Sequence, residues 1–163
     1  MSRLYYFASD TLLEEQKNPY IEMLSVNQAL EKGIDVKLDC FGAGFDRDKP
    51  GVILFCEEEE KLGYPNIYAF QRDEYYDDIG TKKSFCTALE WSCSEENTKV
   101  VLDYIRSQME VTEELEIWSV WLGNDVITER IEKQICKISE LSLEKLKCFY
   151  ESESEYKCIV VSR

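Results

Sequence analysis

A helical pattern followed directly by a strand pattern constrains the fold of this chain more than any other sequence feature. In the first part, apolar residues recur at intervals of three and four, the spacing that places side chains on one face of a helix. These residues are Val100, Val101, Tyr104, Ile105 and Met109. Ser92 or Ser94 can cap the start of the helix, because a serine hydroxyl accepts a hydrogen bond from an orphan backbone N–H. The sequence therefore predicts a capped, amphipathic helix that ends near residue 110.

After Thr112 the apolar period becomes two, which is typical of a strand. The two faces of this strand carry Leu115, Ile117 and Trp121 on one side and Trp118, Val120 and Leu122 on the other. A strand that is apolar on both faces usually lies inside a sheet, with a layer packed on each side. We therefore expect Trp118 and Trp121 to be buried on opposite faces, with the preceding helix packed against one of them.

Other segments of the chain predict shorter elements. Segments with alternating or continuous apolar residues, typical of strands, are 4–8, 34–40, 52–56, 67–70, 85–91 and 156–161. Ser25 can cap a short helix that Gly33 ends, because glycine readily adopts the left-handed conformation found at helix C-termini. Ser142 fits the cap of a later helix. Residues 126–136 fit a further helix, although 135–138 also fit a strand.

Strands outnumber helices in this pattern, and several neighbouring strands are close enough in sequence to form hairpins. The predicted fold class is therefore α+β: a single domain over residues 1–163, with a mixed or largely antiparallel sheet and two to four packed helices. Hydrophobic residues make up 44% of the chain and aromatic residues 12%, which is enough for a packed core.

The chain contains no histidine, and this removes several catalytic systems at once. Serine–histidine and cysteine–histidine nucleophiles need this residue, as does the usual general base near neutral pH. The seven cysteines contain no Cys-x-x-Cys pair, so neither a structural zinc site nor another cofactor is expected. Cys56 and Cys158 lie in apolar segments, as expected of reduced thiols that pack as small hydrophobic side chains. These features favour a non-catalytic protein over an enzyme.

The sequence also predicts where the protein acts. No apolar segment is long enough to cross a bilayer, and the stretch at residues 4–7 is too short for a secretory leader. An odd number of scattered cysteines is typical of a reducing compartment. We therefore expect a cytoplasmic protein that does not associate with membranes.

The net charge of −14 limits the partners of the chain. The 33 acidic and 19 basic residues are spread along the sequence, with 17 acidic against 8 basic residues before residue 81. Such a field repels nucleic acids and anionic lipids, so direct binding to DNA or RNA is not expected. It favours a basic protein partner, or it serves only to keep the protein soluble.

The most acidic segment covers residues 57–78, where eight carboxylates accompany two basic residues. The candidate partner-binding residues within it are Asp73, Glu74, Tyr75, Tyr76, Asp77 and Asp78. Tyrosine rings supply contact area at interfaces, and flanking carboxylates steer a cationic partner. The same residues also fit an ordinary solvated loop, and the sequence leaves this alternative open.

Two further patterns partly match known ligand sites. Gly42 and Gly44 follow a predicted strand, but no helix comes after them, so a phosphate-binding loop is not indicated. Asp46 and Asp48 form an Asp-x-Asp pair and are weak candidates for a metal site, because the remaining ligands of a calcium loop are missing.

Three functional hypotheses remain. The first is a non-catalytic module that binds a basic protein, such as an inhibitor or an immunity-type protein. The second is a carboxylate-based enzyme or divalent-metal binder that uses some of Asp46, Asp48, Glu57, Glu58, Asp73, Asp77 and Asp78. The third is a nucleic-acid mimic, which needs an ordered row of carboxylates on one face.

Overall fold

The chain forms two compact units in the computed structural model. The sheet unit contains residues 1–17 and 63–163, and the small unit contains residues 18–62. The structure describes residues 2–70, 80–122, 131–152 and 156–163.

The described residues contain eight strands and three α-helices. In chain order the strands are β1 (Ser2–Ser9), β2 (Glu22–Leu24), β3 (Ile53–Phe55), β4 (Asn66–Phe70), β5 (Phe85–Glu90), β6 (Glu114–Leu122), β7 (Glu132–Lys137) and β8 (Tyr156–Ser162). The helices are α1 (Val26–Glu31), α2 (Glu95–Gln108) and α3 (Leu143–Glu151). The α+β class predicted from the sequence is confirmed.

The sheet unit is built on a mixed sheet whose six described strands lie in the order β4-β5-β1-β6-β8-β7. Neighbouring strands are antiparallel, except that β7 and β8 run parallel. α3 joins these two, since a parallel pair needs a crossover connection. At the centre, Tyr6 of β1 lies opposite Ala88 of β5 and Trp118 of β6. β6 is thus an interior strand, as its two apolar faces predict.

Helices α2 and α3 pack on one face of this sheet. Leu115 and Ile117 of β6 belong to the same buried cluster as Val101, Tyr104 and Ile105 of α2. These are the residues that the helical and strand periods placed on facing surfaces. The predicted packing of the helix against one side of the strand is therefore confirmed.

Polar side chains satisfy both ends of α2. The Ser94 hydroxyl accepts a hydrogen bond from the backbone N–H of Asn97 at 3.1 Å. At the other end, Arg163 Nε donates to the carbonyl of Met109 at 2.8 Å, where the helix dipole favours positive charge. Groups that a helix end would otherwise leave unpaired are therefore bonded at both termini.

The opposite face of the sheet is centred on Trp118. This side chain is fully buried and stacks on Tyr6 with ring centroids 5.7 Å apart. Gly80 lies so close that an added Cβ would come within 3.0 Å of the indole. Trp121 is only partly buried, and its ring lies 4.6 Å from the Arg3 guanidinium. The predicted burial holds fully for Trp118 and only in part for Trp121, whose ring instead faces a cation.

The small unit contains α1 and the antiparallel ribbon of β2 and β3. Ser25 caps α1, and its hydroxyl and the side chain of Gln28 form a reciprocal capping box. Gly33 follows the helix with a φ of 76°, as the sequence predicted. Val26 and Ala29 are the buried positions of this helix.

Several predictions for individual segments were wrong. Residues 34–37 form no strand, and Leu38–Cys40 is a short 3-10 helix. The strand predicted over 52–56 is present as the shorter β3, whose Leu54 is 53% exposed.

Around residue 135 the structure has strand β7, so the strand alternative was right and a helix continuing to residue 136 was wrong. Residues 123–130 lie outside the described residues. The short strand β2 was not predicted. Its three residues carry too little periodicity to be distinguished from a loop.

Candidate functional site

The small unit carries an open groove at one end of its ribbon. The cavity has a volume of about 200 Å³ and is lined by Pro19, Tyr20, Glu22, Phe55, Glu57 and Glu58. Two aromatic rings, one proline and three carboxylates therefore border the same space. We call this set the acidic groove.

Strand pairing brings the two halves of the acidic groove together. Glu22 at the start of β2 lies directly opposite Phe55 at the end of β3, although 33 positions separate them in the sequence. Tyr20 precedes β2, and its backbone N–H donates to the Asn18 side chain at 2.9 Å. Asn18 is buried and also donates to the carbonyl of Lys61 at 2.9 Å. These bonds fix the segment before β2 beside the one that follows β3.

Lysine side chains of the small unit already lie against both rings of the acidic groove. Lys32 Nζ is 5.5 Å from the centre of the Phe55 ring and 2.6 Å from a carboxylate oxygen of Glu22. Lys61 Nζ is 5.3 Å from the centre of the Tyr20 ring. The negative face of an aromatic ring attracts a cation within about 6 Å. The groove thus has the chemistry of a cation-binding site.

The size of the acidic groove restricts what can enter it. Pockets for small organic ligands usually measure about 300–1,000 Å³, whereas this cavity has about 200 Å³. A single side chain is a better match for this volume than a nucleotide or a large cofactor.

A second cavity of the small unit has different chemistry. It measures about 190 Å³ and is lined by Leu38, Phe41, Gly42, Ala43, Gly44, Phe45 and Arg47. The rings of Phe41 and Phe45 lie 4.7 Å apart, centre to centre. Among the described residues of this lining, Arg47 is the one that carries a charge. This lining therefore lacks the carboxylates that border the acidic groove.

Asp46 and Asp48, the weak metal candidates, take part in local hydrogen bonding. A carboxylate oxygen of Asp46 accepts the backbone N–H of Asp48 at 3.0 Å. The Asp48 carboxylate accepts from the Asn27 side chain at 2.8 Å. Within the described ranges, no group of three or more cysteine, aspartate or glutamate residues is arranged to hold a metal ion.

The acidic residues predicted as candidates have different outcomes. Glu57 and Glu58 line the acidic groove, while Glu59 and Glu60 are exposed and do not line it. The proposed partner-binding residues, Asp73, Glu74, Tyr75, Tyr76, Asp77 and Asp78, lie outside the described residues, so this proposal stays a prediction. No sequence pattern singles out Tyr20, Glu22 or Phe55, because only the pairing of β2 with β3 brings them to Glu57.

The sheet unit contains a buried carboxylate that the sequence analysis did not select. Glu116 accepts hydrogen bonds from Trp118 Nε1 and from Lys133 Nζ, each at 2.8 Å. Burial would raise the pKa of Glu116, but hydrogen bonds from Lys133, Thr81 and Trp118 outweigh it and hold the pKa below its ordinary value. An ionised carboxylate that accepts from several fixed donors ties β6 to β7 across β8, which is a structural role.

Comparisons of the chain with models of known protein families, with curated proteins and with solved structures found no match. Within the described residues, no helix has both the length and the apolar composition needed to span a bilayer. Any functional conclusion therefore depends on the groove and on the charge of the chain.

Proposed function

We propose that this protein is a non-catalytic binding module of the cytoplasm, and that it binds a basic protein partner through the acidic groove. An inhibitor or an immunity-type protein is the functional class that fits this behaviour. The observation that supports the proposal most is the arrangement of two aromatic rings and three carboxylates around one cavity, with an ammonium group beside each ring.

The charge of the whole chain supports the same partner class. A protein with a net charge of −14 attracts cationic proteins over distances of about a Debye length and accelerates their association. The groove then supplies the short-range contacts, since aromatic anchors commonly dominate interface energies.

Exposed apolar side chains on the small unit add contact area for a protein partner. Of the ten exposed large hydrophobic residues in the described ranges, six belong to the small unit: Tyr20, Met23, Leu30, Leu38, Leu54 and Leu62. The small unit contributes only 45 of the 142 described residues, so its share is high. Contiguous exposed apolar residues are typical of interaction sites, and Met23 and Leu54 are direct cross-strand neighbours in the ribbon.

The proposal is tested by titrating the full chain with a short lysine-rich peptide and with a matched peptide in which norleucine replaces each lysine. Replacing Glu57 and Glu58 together by glutamine should weaken binding of the lysine peptide about tenfold, which corresponds to about 1.4 kcal/mol. Calorimetry at low and high salt measures this effect and its electrostatic part.

The control is the double replacement of Glu59 and Glu60 by glutamine. It removes the same charge from the same run of residues but leaves the groove lining intact. Its affinity should stay within about twofold of the unmodified chain. Equal losses for the two double variants would show that charge alone attracts the peptide and would overturn the assignment to the groove.

A separate variant tests the partner-binding segment predicted from the sequence, residues 73–78. Neutralising Asp73, Glu74, Asp77 and Asp78 together measures whether that segment also contributes to binding. A loss there, with none for Glu57 and Glu58, would move the binding surface from the groove to residues 73–78. No observation on the described residues favours the enzyme, metal-binding or nucleic-acid-mimic alternatives.

A further inference from the structure

Lys32 does not line the cavity itself, but its ammonium group contacts one carboxylate and one aromatic ring that do. Its Nζ bonds to a carboxylate oxygen of Glu22 at 2.6 Å and lies over the Phe55 ring at 5.5 Å. The ring contact is independent of the carboxylates, because it arises from the quadrupole of the aromatic face. Glu22 and Phe55 are a directly paired couple on β2 and β3, so the ribbon itself sets the spacing of this cation position.

The contacts of Lys32 are weak enough to be exchanged. Its side chain is 44% exposed and that of Glu22 is 53% exposed. Ion pairs between such exposed groups contribute little net stability, because water solvates both charges well when they separate. An incoming ammonium group that makes the same two contacts therefore replaces an interaction of nearly equal strength, and burial of further surface around it supplies the net gain.

We infer that Lys32 makes the contacts of the ligand in the unbound protein. A lysine side chain of the partner then displaces it and takes its position between Glu22 and Phe55. This inference rests on the function proposed above and specifies its ligand as an alkylammonium group on a protein chain. In the unbound protein, Lys32 competes with the ligand, so it lowers the affinity of the groove and rejects partners that offer only weak cationic contacts.

The direct test is to follow the signal of the Lys32 ε-methylene group by NMR during titration of the full chain with the lysine-rich peptide. Because the Phe55 ring lies 5.5 Å from Nζ of Lys32, its ring current should shift this signal in the unbound protein. Displacement should return the signal to the position of a solvent-exposed lysine as the peptide saturates the groove. The norleucine peptide, which lacks the ammonium groups, should leave the signal unchanged.

An affinity measurement tests the competition separately. Lys32→Gln should bind the lysine peptide two- to fivefold more tightly than the unmodified chain. The matched control is Lys49→Gln, which removes one positive charge elsewhere in the small unit, whereas Lys32→Gln removes the charge that contacts Glu22 and Phe55. Its affinity should change less than that of Lys32→Gln.

The outcomes separate this inference from the proposed function. If Glu57→Gln with Glu58→Gln weakens binding while the Lys32 signal stays fixed at saturation, the groove binds the peptide without displacement and the inference is wrong. The inference is also wrong if Lys32→Gln and Lys49→Gln change the affinity equally. If the lysine and norleucine peptides bind equally, both the inference and the proposed function fail.

Discussion

The two units of this protein divide its apolar residues very unequally. Of the 29 buried hydrophobic residues in the described ranges, 26 lie in the sheet unit and only three, Leu24, Val26 and Ala29, lie in the small unit. The sheet unit packs apolar side chains on both faces of a six-stranded sheet, whereas the small unit depends on a three-residue strand pair, a short helix and local hydrogen bonds.

This difference shows where stability and binding reside. Burial of apolar area is the main favourable term in folding, so the sheet unit supplies most of the free energy of unfolding. Regions with few buried contacts open at lower cost and often carry binding surfaces. The small unit has these properties, together with the acidic groove.

The largest expected effect is that of Trp118→Ala, which tests whether the sheet unit supplies most of the free energy of unfolding. Removing a fully buried aromatic side chain costs about 3–5 kcal/mol, a large part of a typical total of about 5–15 kcal/mol. Urea denaturation followed by circular dichroism measures this loss. The matched change in the small unit, Leu54→Ala, removes a half-exposed side chain and should cost less than about 0.5 kcal/mol. Similar losses of stability at both sites would contradict the conclusion that the sheet unit supplies most of the stability.

The next effect concerns the ion pair between the buried Glu116 carboxylate and the partly exposed Lys133. Lys133→Met leaves the Glu116 carboxylate buried without its ammonium partner and should cost about 1–3 kcal/mol. Thermal unfolding at neutral pH checks this value. Lys147→Met is the control, because its pairing with Glu151 at 3.8 Å joins two exposed groups. Equal melting temperatures for the two variants would mean that burial of Glu116 adds nothing to the strength of its ion pair.

The same pair predicts how stability depends on pH. Because the pKa of Glu116 is lower in the folded protein than its ordinary value, its ionised form stabilises the fold above about pH 4.3. This contribution is lost as the pH falls through the folded pKa. Glu116→Gln should therefore flatten the decline in unfolding free energy as the pH falls below about 4.3. An unchanged slope would show that other carboxylates cause the acid sensitivity.

Two helix caps, one in each unit, test the same comparison with a smaller expected loss of stability. Ser94→Ala and Ser25→Ala each remove a hydroxyl that accepts a backbone N–H, and each should cost about 1 kcal/mol locally. Hydrogen exchange distinguishes the two: Ser94→Ala should lower protection in α2 and in the strands packed on it, whereas Ser25→Ala should act on α1. Loss of protection in β6 from the Ser25 variant would show that the two units open together.

The smallest expected effect has the opposite sign. Tyr150 is buried, and its hydroxyl oxygen has no hydrogen-bond partner within the described part of the chain. Its ring packs edge-on against Tyr5 with centroids 4.9 Å apart, and Tyr150→Phe retains this contact. The variant should be equal to the unmodified protein or up to about 1 kcal/mol more stable. A clear destabilisation in urea would instead show that a water or a residue outside the described ranges bonds this hydroxyl.

Sequence periodicity predicted the sheet unit well, because both α2 and β6 are long and each shows its apolar pattern over several repeats. It failed at residues 34–40, where Ile34, Val36 and Leu38 alternate with polar residues as in a strand. Periodicity reports which side chains could share a face, but it does not supply a neighbouring strand with which to form hydrogen bonds. In the structure this segment is paired with no strand of the described residues.

The acidic groove could be predicted from the sequence only in part. The run at Glu57 and Glu58 was visible as a local charge cluster. Tyr20 and Glu22 lie more than 30 positions earlier, and they reach the groove through the register of β2 with β3, which the sequence pattern does not encode strongly. Long-range pairing in short strands is thus the information that single-sequence reasoning lacked here.

The central position of β1 has a consequence for how the protein is made in the cell. Its residues pair with partners between 76 positions away, for Ser9 with Phe85, and 120 positions away, for Ser2 with Leu122. At a synthesis rate of about 5–20 residues per second, several seconds pass between translation of β1 and translation of the strands that flank it. During that time an apolar, strand-forming segment is exposed to other nascent chains, and the rate of sheet assembly is limited by these distant contacts. Expression yield should therefore respond to translation speed and chaperone supply more strongly than the stability of the finished fold would suggest.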